Sequence, residues 1–403
     1  MAVVSSFGLT SPHLWLKSKE YPLAPAGLFT DETYVLQDEF PISSNCAFFN
    51  HAGMAPLPRG AADAILKYMH ESSYTGFVQR AQLAERFAST RELVAQMTGC
   101  TAADVAFCAN TTTAISFVAN GLDWRPGDNV VLANVEYPAN VYPWWAQAAR
   151  GVALKFVSPK NERLTPEDYI AAIDDSTRVV TVSHVQFANG TRLDLEPLGR
   201  FCHERGIAFV VDAIQSCGVL PIDMAQSRIS ALCCGSHKWL LCPPGIAFFC
   251  CEKGFAERLH VWGPGSDSVK RGPSYLDYAL EYREGPRRFE SGSLAIPCVY
   301  ALEAMLMLLH GVGEAAIAAK VKSLTDRLCS GLEARGCTVH SPRGSGEWSG
   351  IVAFTHRAHG PGEIVNTLQA KGVITCVREG RVRVSPHFYN TNDEIDRLLE
   401  ALP

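Results

Sequence analysis

The stretch that decides the fold is Ala231-Leu-Cys-Cys-Gly-Ser-His-Lys-Trp-Leu-Leu-Cys-Pro-Pro-Gly-Ile-Ala-Phe-Phe249. A small apolar run, typical of a strand, ends at Gly235 and is followed by Ser236-His237-Lys238; a second apolar run follows Pro243-Pro244-Gly245. A lysine between two buried strands is costly unless it is paired or uncharged. A desolvated lysine with a lowered pKa is a nucleophilic amine suited to a Schiff base. The alternative is an exposed lysine in a turn, so the rest of the chain has to decide between them.

The overall composition is that of a globular enzyme. The chain has 403 residues, of which 47% are hydrophobic and 19% charged, and its net charge is −5. That length predicts a large domain plus a smaller one, and the charge does not indicate binding to nucleic acid or to an anionic membrane. No apolar run reaches the roughly 18 residues of a membrane span, and the first ten residues do not resemble a signal peptide. We therefore expect a cytoplasmic protein.

The 14 cysteines predict neither a metal site nor disulfides. Cys233-Cys234 and Cys250-Cys251 are adjacent pairs inside apolar runs, and the chain has no C-x-x-C motif. Neighbouring cysteines are poorly placed to share a metal or to bridge. We interpret them as small buried hydrophobic residues in a reducing compartment.

Strand and helix patterns alternate from about residue 104 to residue 251, which is typical of an α/β protein with a mostly parallel sheet covered on both faces. Residues 1–45 look like an irregular arm, residues 46–300 like the large domain, and residues 301–403 like a small α+β domain. Residues 253–297, rich in Gly, Pro and Arg, are predicted to be irregular.

Polar side chains follow the predicted strands at the points where they end. Ligands of such sheets bind at the carboxyl ends of the strands, so we expect these residues to share one rim. They are Asn110 to Thr113, Glu136-Tyr137, Gln186 to Gly190, Asp212 and Lys238.

Four of these features suit a single cofactor. Lys238 could form an imine, and Asp212, at the end of a buried strand, could hold a protonated ring nitrogen. The N–H groups and hydroxyls of residues 110–113, at a helix start, suit a phosphate, and Tyr137 could stack on a flat ring. Each also has a plain structural alternative: a helix cap for Asp212 and for residues 110–113, and a core aromatic for Tyr137.

In this combination the chain resembles the class V aminotransferase group of fold-type I pyridoxal-phosphate (PLP) enzymes, from about residue 46 to the C-terminus. The group includes cysteine desulfurases, selenocysteine lyases, isopenicillin N epimerase-like proteins and C–S lyases. The resemblance implies a seven-stranded, mostly parallel sheet sandwiched by helices, a small C-terminal domain, and a homodimer with shared active sites.

The resemblance also implies roles for the residues around the cofactor ring. Lys238, in Ser-His-Lys-Trp, resembles the lysine that holds PLP as a Schiff base. Asp212 resembles the partner of the pyridine nitrogen, and Gln215 resembles the residue that bonds the phenolic oxygen. Tyr137 occupies the position of a stacking His or Tyr.

A second group of residues resembles the phosphate site. Thr111 and Thr112 match the threonine motif, and His237 matches a phosphate-binding histidine. Ser236 is included as well, although the family often reads Ser-Gly-His-Lys where this chain has Gly-Ser-His-Lys, so that its hydroxyl is shifted by one place. Ser293 lies where the family usually has a threonine that reaches the phosphate of the neighbouring subunit.

The substrate side of the site is less defined. Arg383, in Arg-Val-Arg-Val-Ser-Pro-His-Phe-Tyr-Asn-Thr, resembles the arginine that binds the substrate α-carboxylate, a bidentate task suited to guanidinium. Further candidate pocket residues, which could recognise a polar substrate group or merely pack, are His51, Gln186, Asn189, Tyr74, Gln79, Arg80, Tyr282 and Arg288.

One departure bears on the reaction. Cysteine desulfurases carry a catalytic cysteine on a long loop before the carboxylate-binding arginine. In this chain the corresponding segment, residues 373–381, is short, and Cys376 falls on a predicted strand. The sequence therefore favours β-elimination of the C–S lyase type on a cysteine-derived L-amino acid. The alternatives are a cysteine desulfurase, an aminotransferase, an amino-acid epimerase, and a non-catalytic member of the fold.

Overall fold

The computed structural model describes residues 38–76 and 80–403, and of Arg80 the backbone only. Most of the predicted N-terminal arm, residues 1–37, lies outside the described residues. The end of that arm, Pro41–Ser44, forms a turn of 3₁₀ helix. The boundaries proposed between the arm and the two domains stay predictions.

Thirteen strands are found in the described part of the chain. In chain order they are β1 Ala47–Phe48, β2 Val105–Cys108, β3 Asn129–Ala133, β4 Ala153–Val157, β5 Thr177–Ser183, β6 Ala208–Asp212, β7 Ala231–Gly235, β8 Ala247–Cys251, β9 Cys337–Val339, β10 Val352–His356, β11 Val373–Ile374, β12 Cys376–Arg378 and β13 Arg381–Val384.

Eleven α-helices lie wholly within the described residues. They are α1 Arg59–Thr75, α2 Arg80–Thr98, α3 Thr111–Gly121, α4 Tyr142–Trp145, α5 Pro166–Ile170, α6 Leu195–Glu204, α7 Lys253–Arg258, α8 Ile296–Val312, α9 Glu314–Glu333, α10 Pro361–Ala370 and α11 Asn392–Ala401.

The central sheet has seven strands in the order β2-β8-β7-β6-β5-β3-β4. Strand β8 runs antiparallel to both of its neighbours, and the other pairs are parallel. Helices cover both faces, so strands such as β6 and β7 are buried along their whole length and read as continuous apolar runs. The predicted α/β fold with a mostly parallel seven-stranded sheet is confirmed.

The adjacent cysteine pairs are explained by the two-residue period of a strand, because successive side chains point to opposite faces. Cys234 and Cys250 belong to the core on one face of the sheet, and Cys233 and Cys251 belong to the core on the other. All 14 cysteines are free thiols.

Local signals set the starts of several helices. Asn110 caps α3 by accepting a hydrogen bond from the N–H of Thr113 at 2.9 Å, and Thr165 caps α5 in a reciprocal capping box with Asp168. Both caps satisfy N–H groups that a helix start leaves free. The cap at residue 110 matters most for the site, since it fixes the N-terminus of α3 at the carboxyl end of β2.

The C-terminal part of the chain forms an antiparallel four-stranded sheet in the order β12-β13-β10-β9. Helices α9, α10 and α11 supply its core together with the inward side chains of β10 and β13. Strand β1, from the start of the described chain, pairs with β11 in parallel. Strands β1 and β11 form a separate two-stranded sheet, which ties residues 47–48 to the C-terminal part of the chain although they precede the whole central sheet in sequence.

The prediction of an irregular segment over residues 253–297 was wrong in two places. Residues 253–258 form α7, which buries Phe255 and Ala256, and Gly285–Phe289 forms a 3₁₀ helix whose Phe289 packs against the core. Elements this short span fewer than two turns, so they show no apolar periodicity in the sequence.

Among the described residues, no single helix is long and apolar enough to cross a membrane. Helices α8 and α9, bent by 79° at their junction, pass that test only as a pair and only on length and composition.

Candidate active site

The polar residues predicted to share a rim do lie at one edge of the central sheet. Ser183, Asp212 and Cys233 are directly opposite one another on β5, β6 and β7, and all three strands point the same way. Lys238 follows the end of β7, and Tyr137 follows the end of β3. The carboxyl ends of the strands thus bring together residues that are up to about a hundred positions apart, as the rule for parallel sheets requires.

Lys238 is buried, with 7% of its surface exposed. Its Nζ lies 5.4 Å from the centroid of the Tyr137 ring, and the ring itself is 43% exposed. Burial lowers the pKa of Lys238, the nearby Asp212 carboxylate opposes that shift, and the Arg383 and Arg378 guanidinium groups reinforce it. The amine is therefore easier to deprotonate than an ordinary surface lysine.

Asp212 is buried as well, with 2% of its surface exposed. Its Oδ1 accepts a hydrogen bond from the Ile214 N–H at 2.9 Å, and no other donor within the described residues reaches the carboxyl group. Burial raises the pKa of Asp212, while the Ile214 hydrogen bond and the charge of Lys238 oppose that shift. A buried carboxylate with a free oxygen fits a protonated pyridine nitrogen.

Gln215 is held at both ends of its amide. Its Nε2 donates to the Ala52 carbonyl oxygen at 3.0 Å, and its Oε1 accepts from the Trp239 indole N–H at 2.8 Å. Trp239 directly follows Lys238, so this amide links the segment after β6, the loop at residue 52 and the lysine segment.

The N-terminus of α3 fits a phosphate group. The Thr111 and Thr112 N–H groups donate to no acceptor among the described residues, and Thr112 is exposed. The Thr111 hydroxyl accepts from the Gly235 N–H at 2.9 Å, which ties this helix start to the end of β7. A Cβ at Gly235 would lie only 3.0 Å from that hydroxyl oxygen. Free N–H groups at a helix start are a general anion site.

The other predicted phosphate residues are placed differently from one another. His237 is half-buried, and burial lowers the pKa of its imidazole, with Lys238 adding to the shift. The Ser236 hydroxyl donates to the Ile246 carbonyl at 2.8 Å, so its proton is used within the fold. Ser293 is exposed in the stretch before α8 and forms no hydrogen bond within the described part of the chain.

Arg383 lies on β13 and is almost fully buried, with 1% of its surface exposed. Its Nη1 donates to the Phe187 carbonyl at 2.7 Å and its Nη2 to Asn50 Oδ1 at 3.3 Å. Its Nε is buried with no partner among the described residues. A buried guanidinium whose partners are all neutral, and which has an unused N–H, can accept a carboxylate.

The three remaining substrate candidates differ in whether their polar side-chain atoms are already hydrogen-bonded within the chain. His51 is fully buried; its Nδ1 bonds to the Ser385 carbonyl at 2.8 Å and its Nε2 to the Tyr389 hydroxyl at 2.7 Å, which leaves neither ring nitrogen for a substrate. Asn189 closes a turn by accepting from the Thr191 N–H at 3.1 Å. Gln186, by contrast, has a buried Oε1 without a partner in the described chain.

The wider candidates contribute little geometry to the site. Tyr74 is exposed and stacks near His70 on α1, with ring centroids 4.4 Å apart. Arg288 donates to the Glu257 carbonyl at 3.3 Å and lies 5.9 Å from the Tyr282 ring centroid. Gln79 and the side chain of Arg80 lie outside the described residues.

Glu136, which the sequence placed on the rim without a role of its own, is buried beside Tyr137. Its Oε1 accepts from the Ser183 N–H and from Gln186 Nε2, each at 2.8 Å, and its Oε2 accepts from the Ser183 hydroxyl. Burial raises the pKa of Glu136, and these hydrogen bonds oppose that shift. The signal available in the sequence was an acid after a strand end, directly before Tyr137.

Cys376 lies on β12, directly opposite Arg383 of β13, and is half-buried. It therefore belongs to a strand and not to a loop, as its sequence context predicted. The segment that joins β12 to β13 contains only Glu379 and Gly380.

The chain belongs to the aminotransferase class-V family, whose model matches residues 47–398. The predicted family is thus confirmed, and with it the expectation of a PLP-dependent enzyme.

Relatives and solved structures agree with that assignment. A probable cysteine desulfurase of Methanothermobacter thermautotrophicus is 29% identical over 395 residues, which cover 90% of this chain and 96% of the relative. The apo cysteine desulfurase of Thermococcus onnurineus NA1 superposes with a TM-score of 0.83 at 23% identity, covering 91% of this chain and 96% of that one. The cystine C–S lyase C-DES, solved with its reaction product cysteine persulfide, gives 0.83 at 24% identity, covering 90% and 98%. At these identities the solved structures establish the fold.

Proposed function

We propose that this protein is a PLP-dependent C–S lyase that cleaves the Cβ–S bond of a cysteine-derived L-amino acid by β-elimination. The observation that carries the proposal is the burial of both Lys238 and Asp212 at the carboxyl edge of the central sheet. An isolated buried lysine or aspartate would be costly. A cofactor that forms a covalent bond to the lysine and carries a positive charge beside the aspartate would offset both costs.

The residues around this pair fit the parts of PLP. Lys238 would bind its aldehyde, Asp212 its ring nitrogen, and Gln215 its phenolic oxygen, with Tyr137 against the ring face. The start of α3 at Thr111 and Thr112, together with His237, would hold the phosphate, whereas Ser236 would stabilise the turn through the Ile246 carbonyl. When bound, PLP supplies an electron sink for the electrons released at Cα.

The chain itself would handle the proton and the carboxylate. Lys238 Nζ, whose pKa is lowered by burial, is suited to take the Cα proton once the substrate amine has replaced it, because a base works best when its pKa is near the working pH. Arg383 Nε and the second N–H of one Nη would hold the α-carboxylate. Its other contacts, to Phe187 and Asn50, keep the guanidinium plane fixed.

A cysteine desulfurase is the second candidate, because the cysteine desulfurases among the relatives match over nearly the whole chain. That reaction needs a cysteine thiolate to receive sulfur. Cys376 is held on β12, and the two-residue connection to β13 leaves no mobile loop to carry it to the substrate. This placement favours elimination, in which sulfur leaves with its substituent. Aminotransferase and epimerase activity use the same residues, so product analysis has to separate them.

The test is product identification with cystine and S-alkyl-L-cysteines. A C–S lyase releases pyruvate and a thiol or persulfide from them, and Cys376→Ala keeps that activity. From free L-cysteine, assayed in parallel, a desulfurase forms alanine and a protein-bound persulfide, which Cys376→Ala abolishes. An aminotransferase needs a keto acid, and an epimerase inverts Cα with no loss of sulfur. Formation of alanine in place of pyruvate would reject the elimination proposal.

We also propose that the enzyme is a homodimer whose active sites are shared. Ser293 is exposed in the isolated chain, and the neighbouring segment 264–280 presents Leu276, Tyr278 and Leu280 to solvent beside a cavity of about 780 Å³. A second copy would cover these apolar side chains. Sedimentation equilibrium tests this, and a monomer at micromolar concentration would refute it. The cytoplasmic location that we also propose is supported by the 14 free thiols.

A further inference from the structure

One face of the C-terminal sheet carries three arginines, two of which contact the segments that follow β4 and β5, Arg381 at Glu162 and Arg383 at Phe187. Strands β12 and β13 pair so that Cys376 is opposite Arg383 and Arg378 is opposite Arg381. Because strand side chains alternate, these four residues share a face. Val377, between Cys376 and Arg378, points the other way and is 41% exposed.

Only one of the three arginines is neutralised. Arg381 donates to both carboxylate oxygens of Glu162, at 2.6 Å and 3.0 Å. Arg383 bonds to a carbonyl and a side-chain amide, which carry no charge. The Arg378 side chain forms no hydrogen bond or ion pair within the described chain, and its Nε is buried without a partner. Two guanidinium groups therefore remain without a counter-charge.

Both uncompensated charges act on the candidate active site. Arg383 is directly opposite Cys376, and Arg378 lies two residues after Cys376 on the same face, so the two arginines are diagonal cross-strand neighbours. Burial lowers the pKa of Lys238, and the charges of Arg383 and Arg378 add to that shift. The proposed α-carboxylate of an amino-acid substrate neutralises only one of them. Leaving the second cation half-buried and unpaired costs free energy, and a second anionic group on the ligand removes that cost.

We propose that Arg378 is a specificity residue which binds an anionic side-chain group, and that the substrates are therefore acidic amino acids, such as cysteine derivatives that end in a carboxylate, sulfinate or sulfonate. This inference rests on the amino-acid site proposed above, in which Arg383 takes the α-carboxylate. Arg378 takes the group beyond the sulfur, on the same face of the sheet and five positions earlier in the chain.

The inference is tested by equilibrium binding to the holoenzyme, followed through the absorption of the cofactor. The ligands are two pairs that differ in side-chain charge but hardly in shape: L-aspartate with L-asparagine, and L-glutamate with L-glutamine. None contains sulfur, so the result does not depend on C–S cleavage. We expect the acidic member of at least one pair to bind about 10- to 100-fold more tightly, as one charge-assisted contact allows.

Three variants assign this preference to one side chain. Arg378→Gln should bring the affinity ratio of acid to amide to about one, and Arg378→Lys should leave an intermediate ratio. The matched control is Arg381→Gln, which removes the same charge from the same face and should keep the wild-type ratio. Circular dichroism and the cofactor spectrum should be unchanged in all three.

Two results would overturn the inference while leaving the proposed function intact. One is a wild type that binds acids and amides equally well. The other is an Arg378→Gln variant that loses affinity for both members of a pair by the same factor, which would mean that Arg378 shares the α-carboxylate with Arg383. A wild type that binds none of the four ligands, and no cysteine derivative, would refute the proposed function as well.

Discussion

The substitution Arg383→Lys tests the carboxylate site most sharply, because it keeps the positive charge and changes only the number and arrangement of donors. An arginine has five N–H donors. Here one is given to the Phe187 carbonyl and one to Asn50, which leaves three, including the unpaired Nε–H. A carboxylate can take two of these side by side. The ammonium group of a lysine is a single point and cannot hold both oxygens in that way.

The expected loss follows from the number of bonds removed. A lysine at position 383 keeps one contact to the carboxylate and loses the other. A hydrogen bond to a charged group contributes about 1.5–3 kcal/mol, which corresponds to about 10- to 150-fold in affinity. Binding of an L-amino acid should weaken by that factor, and kcat/KM should fall at least as much.

The assay compares L-cysteine with cysteamine, which lacks the carboxylate, in wild-type enzyme and in Arg383→Lys. Cysteamine should bind both proteins with similar affinity. The coupling between the side chain and the carboxylate is the loss of affinity for L-cysteine caused by the substitution, divided by the loss of affinity for cysteamine. Arg381→Lys, at the Glu162 contact on the same strand, serves as the matched control and should show no such coupling. An equal loss of affinity for both ligands would refute the assignment of the carboxylate to Arg383.

Three further predictions follow from the described contacts. Lys238→Ala should abolish the visible absorption band of the PLP-loaded protein, and persistence of that band after dialysis would contradict covalent binding at this residue. Burial raises the pKa of Glu136 above its ordinary value of 4.5. Its contribution to the free energy of unfolding is therefore fully present below pH 4.5 and is lost as the pH rises through the raised pKa. In urea titrations at pH 5 and pH 9, Glu136→Gln should lose less stability with rising pH than wild type does. Gly199→Ala should lower the urea midpoint of unfolding, with a loss of about 1–3 kcal/mol in the free energy of unfolding, since its Cβ would lie 1.8 Å from the Ser227 carbonyl oxygen. The matched control is Gly362→Ala in α10, where an added Cβ meets nothing within 4 Å.

The central sheet could be predicted from the sequence because its strands are buried on both faces. Continuous apolar runs such as Ala231–Gly235 have no competing helical period, and in a parallel sheet the residues after such runs meet at one edge. This reasoning placed Lys238, Asp212 and Tyr137 together without any knowledge of distances.

The rest of the site could not be predicted from local patterns, because it depends on contacts between distant parts of the chain. His51 looked like a substrate ligand until its ring was found bonded to Tyr389, which is 338 positions away. Glu136 was expected on the rim, but its hydrogen bonds from Ser183 and Gln186, 47 and 50 positions away, were not predicted. Glu162 pairs with Arg381, whereas the Arg378 side chain has no partner in the described chain, and no spacing rule in a sequence predicts which of the two arginines is paired.

The attachment of residues 47–52 to the C-terminal sheet has a consequence for how the protein is made. Asn50 contacts Arg383, and the Ala52 N–H donates to Ser385 Oγ at 3.0 Å, across separations of 333 residues. During synthesis, residues 47–52 therefore cannot form these contacts until nearly the entire polypeptide has left the ribosome. Translation that stops between residues 252 and 382 would release a product with all seven strands of the central sheet but without Arg383, and we expect such fragments to be bound by chaperones or degraded by proteases.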